Sequence, residues 1–359
     1  MPAHLTHHLY AELTLARAGI RAGASSEVGN GSSELPVLGE PRSGDPALAV
    51  GSQGPDVFYH NRRTMPSGLT YAVSIHRSKY GRLVSEMAKA ASADGYGPGS
   101  SLGRFVLAYA SHALVDRWLH PFINFFAGWY DPQKPETESF RNTHAFYERV
   151  VDALLVKRYR GLMPSEIDFA YCFFLGDSLP EPYLSTVCAG LRNTYKKASS
   201  DPELTQKVQN AYTDSLGFYR FTNRAGAGYF AEGIARERSG EIGDKWITIV
   251  HPFRLPEGED LANEAKEEWS HPAHPDRREN SSLYELFEAA VGDGAIILRE
   301  LYDAWSSRDF DKIEGRLDNS NLSDRSEVTG MERYVASRPY DLPGLMSWLR
   351  KESLRSTAS

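Results

Sequence analysis

With only two cysteines in 359 residues, Cys172 and Cys188, and no CxxC spacing, the chain is neither a disulfide-built scaffold nor a thiolate zinc finger. Both cysteines sit in apolar, helical-looking sequence and read as reduced core thiols. No run of about 18 apolar residues occurs, so no membrane-spanning helix is expected. The opening stretch "MPAHLTHHLYAELTLARAG" has neither the basic start nor the unbroken apolar run of an export signal, and the expected location is cytoplasmic or reached by a non-classical route. Positive charge is also scarce: 40 Lys and Arg stand against 47 Asp and Glu, for a net charge of −7 without a basic block. That balance gives no grip on a nucleic-acid backbone or an anionic membrane, so a phosphate would be met here by metal rather than by a basic patch. No repeat of 20 to 50 residues is visible, which excludes a solenoid.

Period-two alternation is scarce too, and what fills the chain is helical patterning on a 41% hydrophobic, 11% aromatic composition with ample material for a core. Helices are expected over residues 4–19, 101–120, 137–160, 164–175, 180–198, 202–223, 281–307 and 341–354, with "KWITIVHPF" at 245–253 as the one candidate strand. The fold class is all-α, a multi-helix bundle. Residues 21–55, rich in Gly, Ser and Pro, read as one long loop. Residues 1–308 form the expected helical domain, and 309–359 a polar C-terminal extension ending in a helix.

The chemistry gathers in the first half. Eight of the eleven histidines lie within the first 144 residues: His4, His7, His8, His60, His76, His112, His120 and His144. In "SHALVDRWLHPF", His112, Asp116 and His120 are four apart, which places all three on one helix face within roughly 80°. His144 and Glu148, in "THAFYERV", repeat the spacing on the next helix. Two consecutive helices presenting His and carboxylate toward each other can close around a metal cluster, and the absence of thiolates favours a catalytic over a structural zinc site. Asp56 in "QGPD" and His76 in "YAVSIH" are each weak signals alone.

Taken in order, "THH", "QGPD", "SIH", "HALVDRWLHP" and "HAFYE" resemble the zinc-dependent phospholipase C family, all-helical bacterial phosphodiesterases that hold three zincs. The resemblance covers about residues 1–150 by motif and the helical remainder more loosely. It implies one zinc on Asp56, His76, His112 and Asp116, and a second on His120, His144 and Glu148. Asp116 would bridge to a third zinc held by an N-terminal histidine, for which His7 is the best match and His4 and His8 are alternatives. In secreted family members the third zinc also takes a free terminal amine, a place that Pro2 would fill here after loss of Met1. Asp56 is the implied general base, and the implied substrate is a phospholipid or another phosphodiester, cleaved to diacylglycerol and a phosphorylated headgroup in the lipid case.

His60 matches no ligand of that family and reads as a supporting or surface residue. Phe58, Tyr59, Trp118, Phe122, Phe125, Phe126 and Trp129 crowd the motifs; a bundle core is their simplest fate, with a headgroup cage the sharper alternative. "EEWSHPAHPDRREN" reads as a proline-rich connector or as a rim over the site. Three other readings stand beside the phospholipase: a zinc-dependent nuclease or general phosphodiesterase, a non-enzymatic metal-stabilised helical protein, and a di-iron bundle. The last would want Glu-x-x-His pairs, which the His-first, four-residue spacing does not supply.

Overall fold

The computed structural model describes residues 4–20, 45–128, 130–222, 227–239, 246–272, 274–317 and 339–358. Its α-helices are α1 (His4–Arg17), α2 (Pro46–Ser52), α3 (Val57–His60), α4 (Leu69–Arg77), α5 (Tyr80–Ala93), α6 (Ser101–Ala127), α7 (Thr143–Arg160) and α8 (Phe169–Cys172). They continue as α9 (Glu181–Thr194), α10 (Lys196–Ser199), α11 (Leu204–Thr222), α12 (Ala227–Arg238), α13 (Trp246–Ile249), α14 (Leu283–Ser306), α15 (Phe310–Leu317) and α16 (Leu342–Ala358). The described strands, β1 (Trp269–His271) and β2 (His274–Glu279), pair antiparallel with Trp269 opposite Glu279 and an irregularity after Ser270. The fold is all-α, as expected, and no described helix is long and apolar enough to cross a membrane.

The centre is α6. Its sequence leaves no polar face, and 22 of its 27 residues are buried, so it must be surrounded. The neighbours that surround it are α1, α2, α5, α7 and α14. Ser100 starts α6 by accepting the Gly103 amide, the expected N-cap chemistry. The expected stop at Pro121 does not occur, and the helix runs on to Ala127. A proline removes one helical hydrogen bond, but here Phe122, Phe125 and Phe126 all lie against Trp269 of β1, and that packing carries the helix through. The Trp-x-His-Pro stretch read as a connector or rim is thus a hairpin whose tryptophan is part of the core.

Two more differences have local causes. Residues 45–55 are not loop: Asp45 caps α2 through the amides of Ala47 and Leu48, Pro46 occupies its first turn, and a 3₁₀ turn, Gly54–Asp56, follows. The rest of the expected loop, residues 21–44, lies outside the described residues, as does Trp129. "KWITIVHPF" is not a strand; its described part contains the short helix α13, where Trp246 inserts between Phe221 and Tyr229. Over four residues tertiary packing overrides β-propensity. Helices α4 and α5, absent from the sequence-based expectation, bury Tyr71, Ile75, Leu83 and Met87. Cys172 and Cys188 are both buried free thiols. Helix α15 belongs to the core as well, with Ile313 and Leu317 buried and the Phe310 carbonyl accepting the Ser85 hydroxyl.

Helix α2 reaches α6 closely because residue 51 is glycine: a Cβ there would lie 2.3 Å from the Phe105 carbonyl oxygen and 3.0 Å from the Ala108 side chain. Gly51→Ala gains about 1 kcal/mol of helix propensity but has to push two backbones apart. The expected net result is a loss of about 1–3 kcal/mol, read from urea unfolding; a more stable variant would overturn this packing argument.

Candidate metal centre

Four helices and one 3₁₀ turn deliver eight side chains to one place. His7 comes from α1, Asp56 from the 3₁₀ turn, His76 from the last turn of α4, His112, Asp116 and His120 from α6, and His144 and Glu148 from α7. Glycine in "QGPD" has a physical role: Gly54 has φ +53°, and a Cβ on it would lie 2.6 Å from the His112 ring. The turn can therefore lay Asp56 against His112 only with glycine at that position. Gln53, fully buried, holds the same turn by donating to the His4 carbonyl and accepting the Tyr219 hydroxyl.

The distances are those of groups facing a shared centre. His7 Nε2 lies 3.3 Å from Asp116 Oδ1 and 3.8 Å from Asp56 Oδ2. His112 Nε2 lies 3.3 Å from Asp116 Oδ2 and 3.5 Å from Asp56 Oδ2, and His76 Nε2 lies 3.3 Å from Asp56 Oδ1 and 4.0 Å from Asp116 Oδ2. His120 Nε2 stands 3.7 Å from Asp116 Oδ1 and 3.5 Å from Glu148 Oε1, while His144 Nε2 is 3.0 Å from that same Glu148 oxygen. Asp116 thus turns one oxygen toward His7 and His120 and the other toward His112 and His76. Its place between two histidines on α6 puts it between all three groups.

Two histidines have their tautomer set by the backbone. The His76 ring nitrogen Nδ1 is 2.7 Å from the Ala72 carbonyl, and His112 Nδ1 is 3.2 Å from that of Ser52. Only a protonated Nδ1 can donate to a carbonyl, so in the neutral ring Nε2 offers its lone pair to the centre, the arrangement typical of a metal ligand. His112 Nε2 and Asp56 Oδ2 are buried without a hydrogen-bond partner. Such orphaned atoms, facing one another across 3.5 Å, fit a cation between them. Within this cluster the groups that could hold metal ions are His7, His112 and Asp116; Asp56, His76 and His112; and His120, His144 and Glu148.

Electrostatics agree. Burial alone would raise the Asp116 carboxyl, but His120, His112 and His7 hold it well below the carboxylate range. Asp56 is likewise lowered against its burial by His112, His76 and His7. His7 is pushed down to about 4 by burial and by His112, whose ring stacks on it at 4.0 Å. The carboxylates accordingly face a neutral His7, while Asp56 and Asp116 together raise the His112 imidazole above its ordinary value against its burial.

Of the remaining histidines proposed from sequence, none joins this cluster. His8 faces Glu12 at 3.6 Å. His4 accepts a hydrogen bond from Arg149 one turn before His7. His60 is buried rather than at the surface, with Nδ1 3.1 Å from the Ser215 hydroxyl and its ring stacked on Phe218. The expected Pro2 amine lies outside the described residues. Most of the aromatics are core: Phe58, Phe122, Phe125 and Phe126 are buried. Tyr59 lies beside a cluster histidine, its ring 5.3 Å from that of His76, and it is half-buried. With His144 the most exposed member at 29% and His120 next at 14%, the centre opens on the His120 and His144 side.

Residues missed from sequence are Thr6, Arg149, Asp152 and His251, a buried network beside the cluster. Asp152 is the fourth residue after Glu148, a spacing visible in the sequence, but His251 sits in the stretch read as a strand.

Asp116→Asn should reduce bound metal while leaving helicity near wild type, measured by elemental analysis and far-ultraviolet circular dichroism; full metal occupancy would remove its bridging role. Stability should also fall in acid. Burial holds His8 and His60 down to about 3, so below the ordinary value of about 6.5 the unfolded chain takes protons that the folded one refuses. The stabilisation is full above that value and is lost as pH falls toward 3, about 2 kcal/mol per group by pH 5. His60→Gln should flatten the slope of unfolding free energy against pH in chelator-treated protein, and an unchanged slope would contradict a buried neutral His60. No family model, no curated protein and no solved structure matches this chain.

Proposed function

We propose that the protein is a zinc-dependent phosphodiester hydrolase that cleaves phospholipid in the manner of a phospholipase C. The observation that carries this reading is the placement of Asp56, Asp116 and Glu148, all buried, among five imidazoles whose Nε2 atoms stand mostly 3.3–4.0 Å from carboxylate oxygens. Ligands at about 2.0–2.2 Å from a tetrahedral zinc are about 3.3–3.5 Å apart. Most of these spacings are near that edge length and too long for hydrogen bonds. Nitrogen and carboxylate donors without sulfur also suit zinc at a hydrolytic site.

Asp56, His76, His112 and Asp116 would hold one ion, His120, His144 and Glu148 a second, and His7 with Asp116 a third. Zinc there supplies Lewis acidity toward phosphate oxygens and toward water. The side chains do the rest. Asp56 is held ionised, and its carboxylate, which would also face the ion, accepts the proton of the attacking water. The water oxygen forms the new bond to phosphorus, the bond from phosphorus to the departing alkoxide breaks, and the alkoxide leaves as an alcohol after taking a proton from solvent. Burial of the cluster keeps bulk water from competing, while the His120 and His144 side leaves a way in for the headgroup. Half-buried Tyr59 stands beside His76, where its ring could contact a substituent of the phosphate. The lipid assignment itself rests on the motif resemblance.

Protein purified without added metal should contain zinc and hydrolyse bis-p-nitrophenyl phosphate and p-nitrophenylphosphorylcholine, with both activities lost to chelator and restored by zinc. Asp56→Asn should lower kcat by about 10²–10⁴. Preference for the choline substrate supports the lipid assignment, and preference for the plain diester or for single-stranded nucleic acid moves the substrate to a non-lipid diester. Absence of metal together with absence of turnover after zinc is restored overturns the reading.

A further inference from the structure

Beside the cluster, one turn nearer the start of α1, lies a second group with the composition of a metal site: His4, Asp152 and His251, all buried. Its chemistry is different. His251 Nε2 is 2.8 Å from Asp152 Oδ2, a hydrogen-bond length rather than the separation of two ligands on one ion. Arg149, fully buried, donates to His4 Nδ1 and stands 3.7 Å from Asp152 Oδ2. Here the protein supplies its own cation, and a metal ion would have to sit against a guanidinium.

The other oxygen of Asp152 is used differently: Oδ1 accepts both the backbone amide of Thr6, at 2.7 Å, and its hydroxyl, at 2.8 Å. Thr6 immediately precedes His7. The amide lies in the first turn of α1, where a backbone donor has no partner within the helix and an anion is favoured. Asp152 is on α7, one turn beyond Glu148, so the helix that offers a carboxylate to His120 and His144 offers another to the start of α1.

We propose that Asp152, held by Arg149 and His251, is a positioning residue that fixes the register of α1 so that His7 meets Asp116 and Asp56, and that it thereby sets the affinity of the third metal position. The inference rests on the zinc reading above. It also assigns distinct duties to the three N-terminal histidines: His7 faces the metals, His4 belongs to the anchor, and His8 faces neither.

The test is zinc stoichiometry and affinity by competition with a chromophoric chelator, on wild type, Asp152→Asn, the nearly isosteric Thr6→Val, and His7→Gln as the direct-ligand control. Hydrogen exchange of the α1 amides is followed in the metal-free proteins. Wild type should hold three equivalents, and His7→Gln should lose one. Asp152→Asn should weaken that same equivalent at least tenfold and Thr6→Val several-fold, with the other two unchanged and α1 exchanging faster. Thr6→Val keeps the test alive if Asp152→Asn does not fold, because it removes a single hydroxyl contact. A third equivalent of wild-type affinity in the folded variants, equal weakening of all three in Thr6→Val, or only two equivalents in wild type overturns the inference while leaving a zinc enzyme. A wild type without zinc overturns both, and is recognised before any variant is compared.

Discussion

Three carboxylates buried within reach of one another, with no lysine or arginine paired to them among the described residues, are the constraint on which this bundle is organised. Like charges in a poorly solvated interior repel, and each isolated one carries a large desolvation cost. Imidazoles surrounding Asp56, Asp116 and Glu148 relieve part of that cost by hydrogen bonding and by partial positive charge. A divalent cation would relieve the rest, which is why the same geometry that looks costly in a metal-free protein is ordinary in a metalloprotein.

The surrounding architecture follows from holding that cluster. Helix α6 is buried on nearly every side and so occupies the centre, carrying three of the eight groups on one face. Helix α2 packs on it through Gly51, which brings the Gln53–Asp56 turn to rest against His112. Tyr219 from α11 clamps Gln53, and the backbone carbonyls of Ala72 and Ser52 orient His76 and His112. Each of these supports is a short contact to backbone or to an amide, the kind that fixes a ring nitrogen within a few tenths of an ångström.

Much of this was legible in the sequence because four-residue spacing on a helix is itself a statement about direction. His112, Asp116 and His120, and likewise His144 and Glu148, needed no fold to be placed on common faces. The all-α class followed from the same periodicity. Other parts were illegible for identifiable reasons. The Trp246 segment is too short for pattern to outvote packing, and the passage of α6 through Pro121 depends on Trp269, almost 150 residues downstream. No local signal distinguishes His7 from His4 and His8 either: all three lie in the first two turns of α1, all three are buried, and only the packing of α1 on its neighbours decides which ring faces the carboxylates.

That packing has a bearing on the order in which the molecule can be completed. The first helix is made before any of its partners, yet the seat of its first turn is built from Asp152 and His251, and the turn carrying Asp56 is clamped by Tyr219. A nascent chain of 150 residues contains every one of the eight clustered side chains but lacks the pieces that hold two of them in place. The eight clustered groups therefore lie in one stretch of sequence, while the residues that seat them extend downstream through His251 to α14, which packs on both α1 and α6.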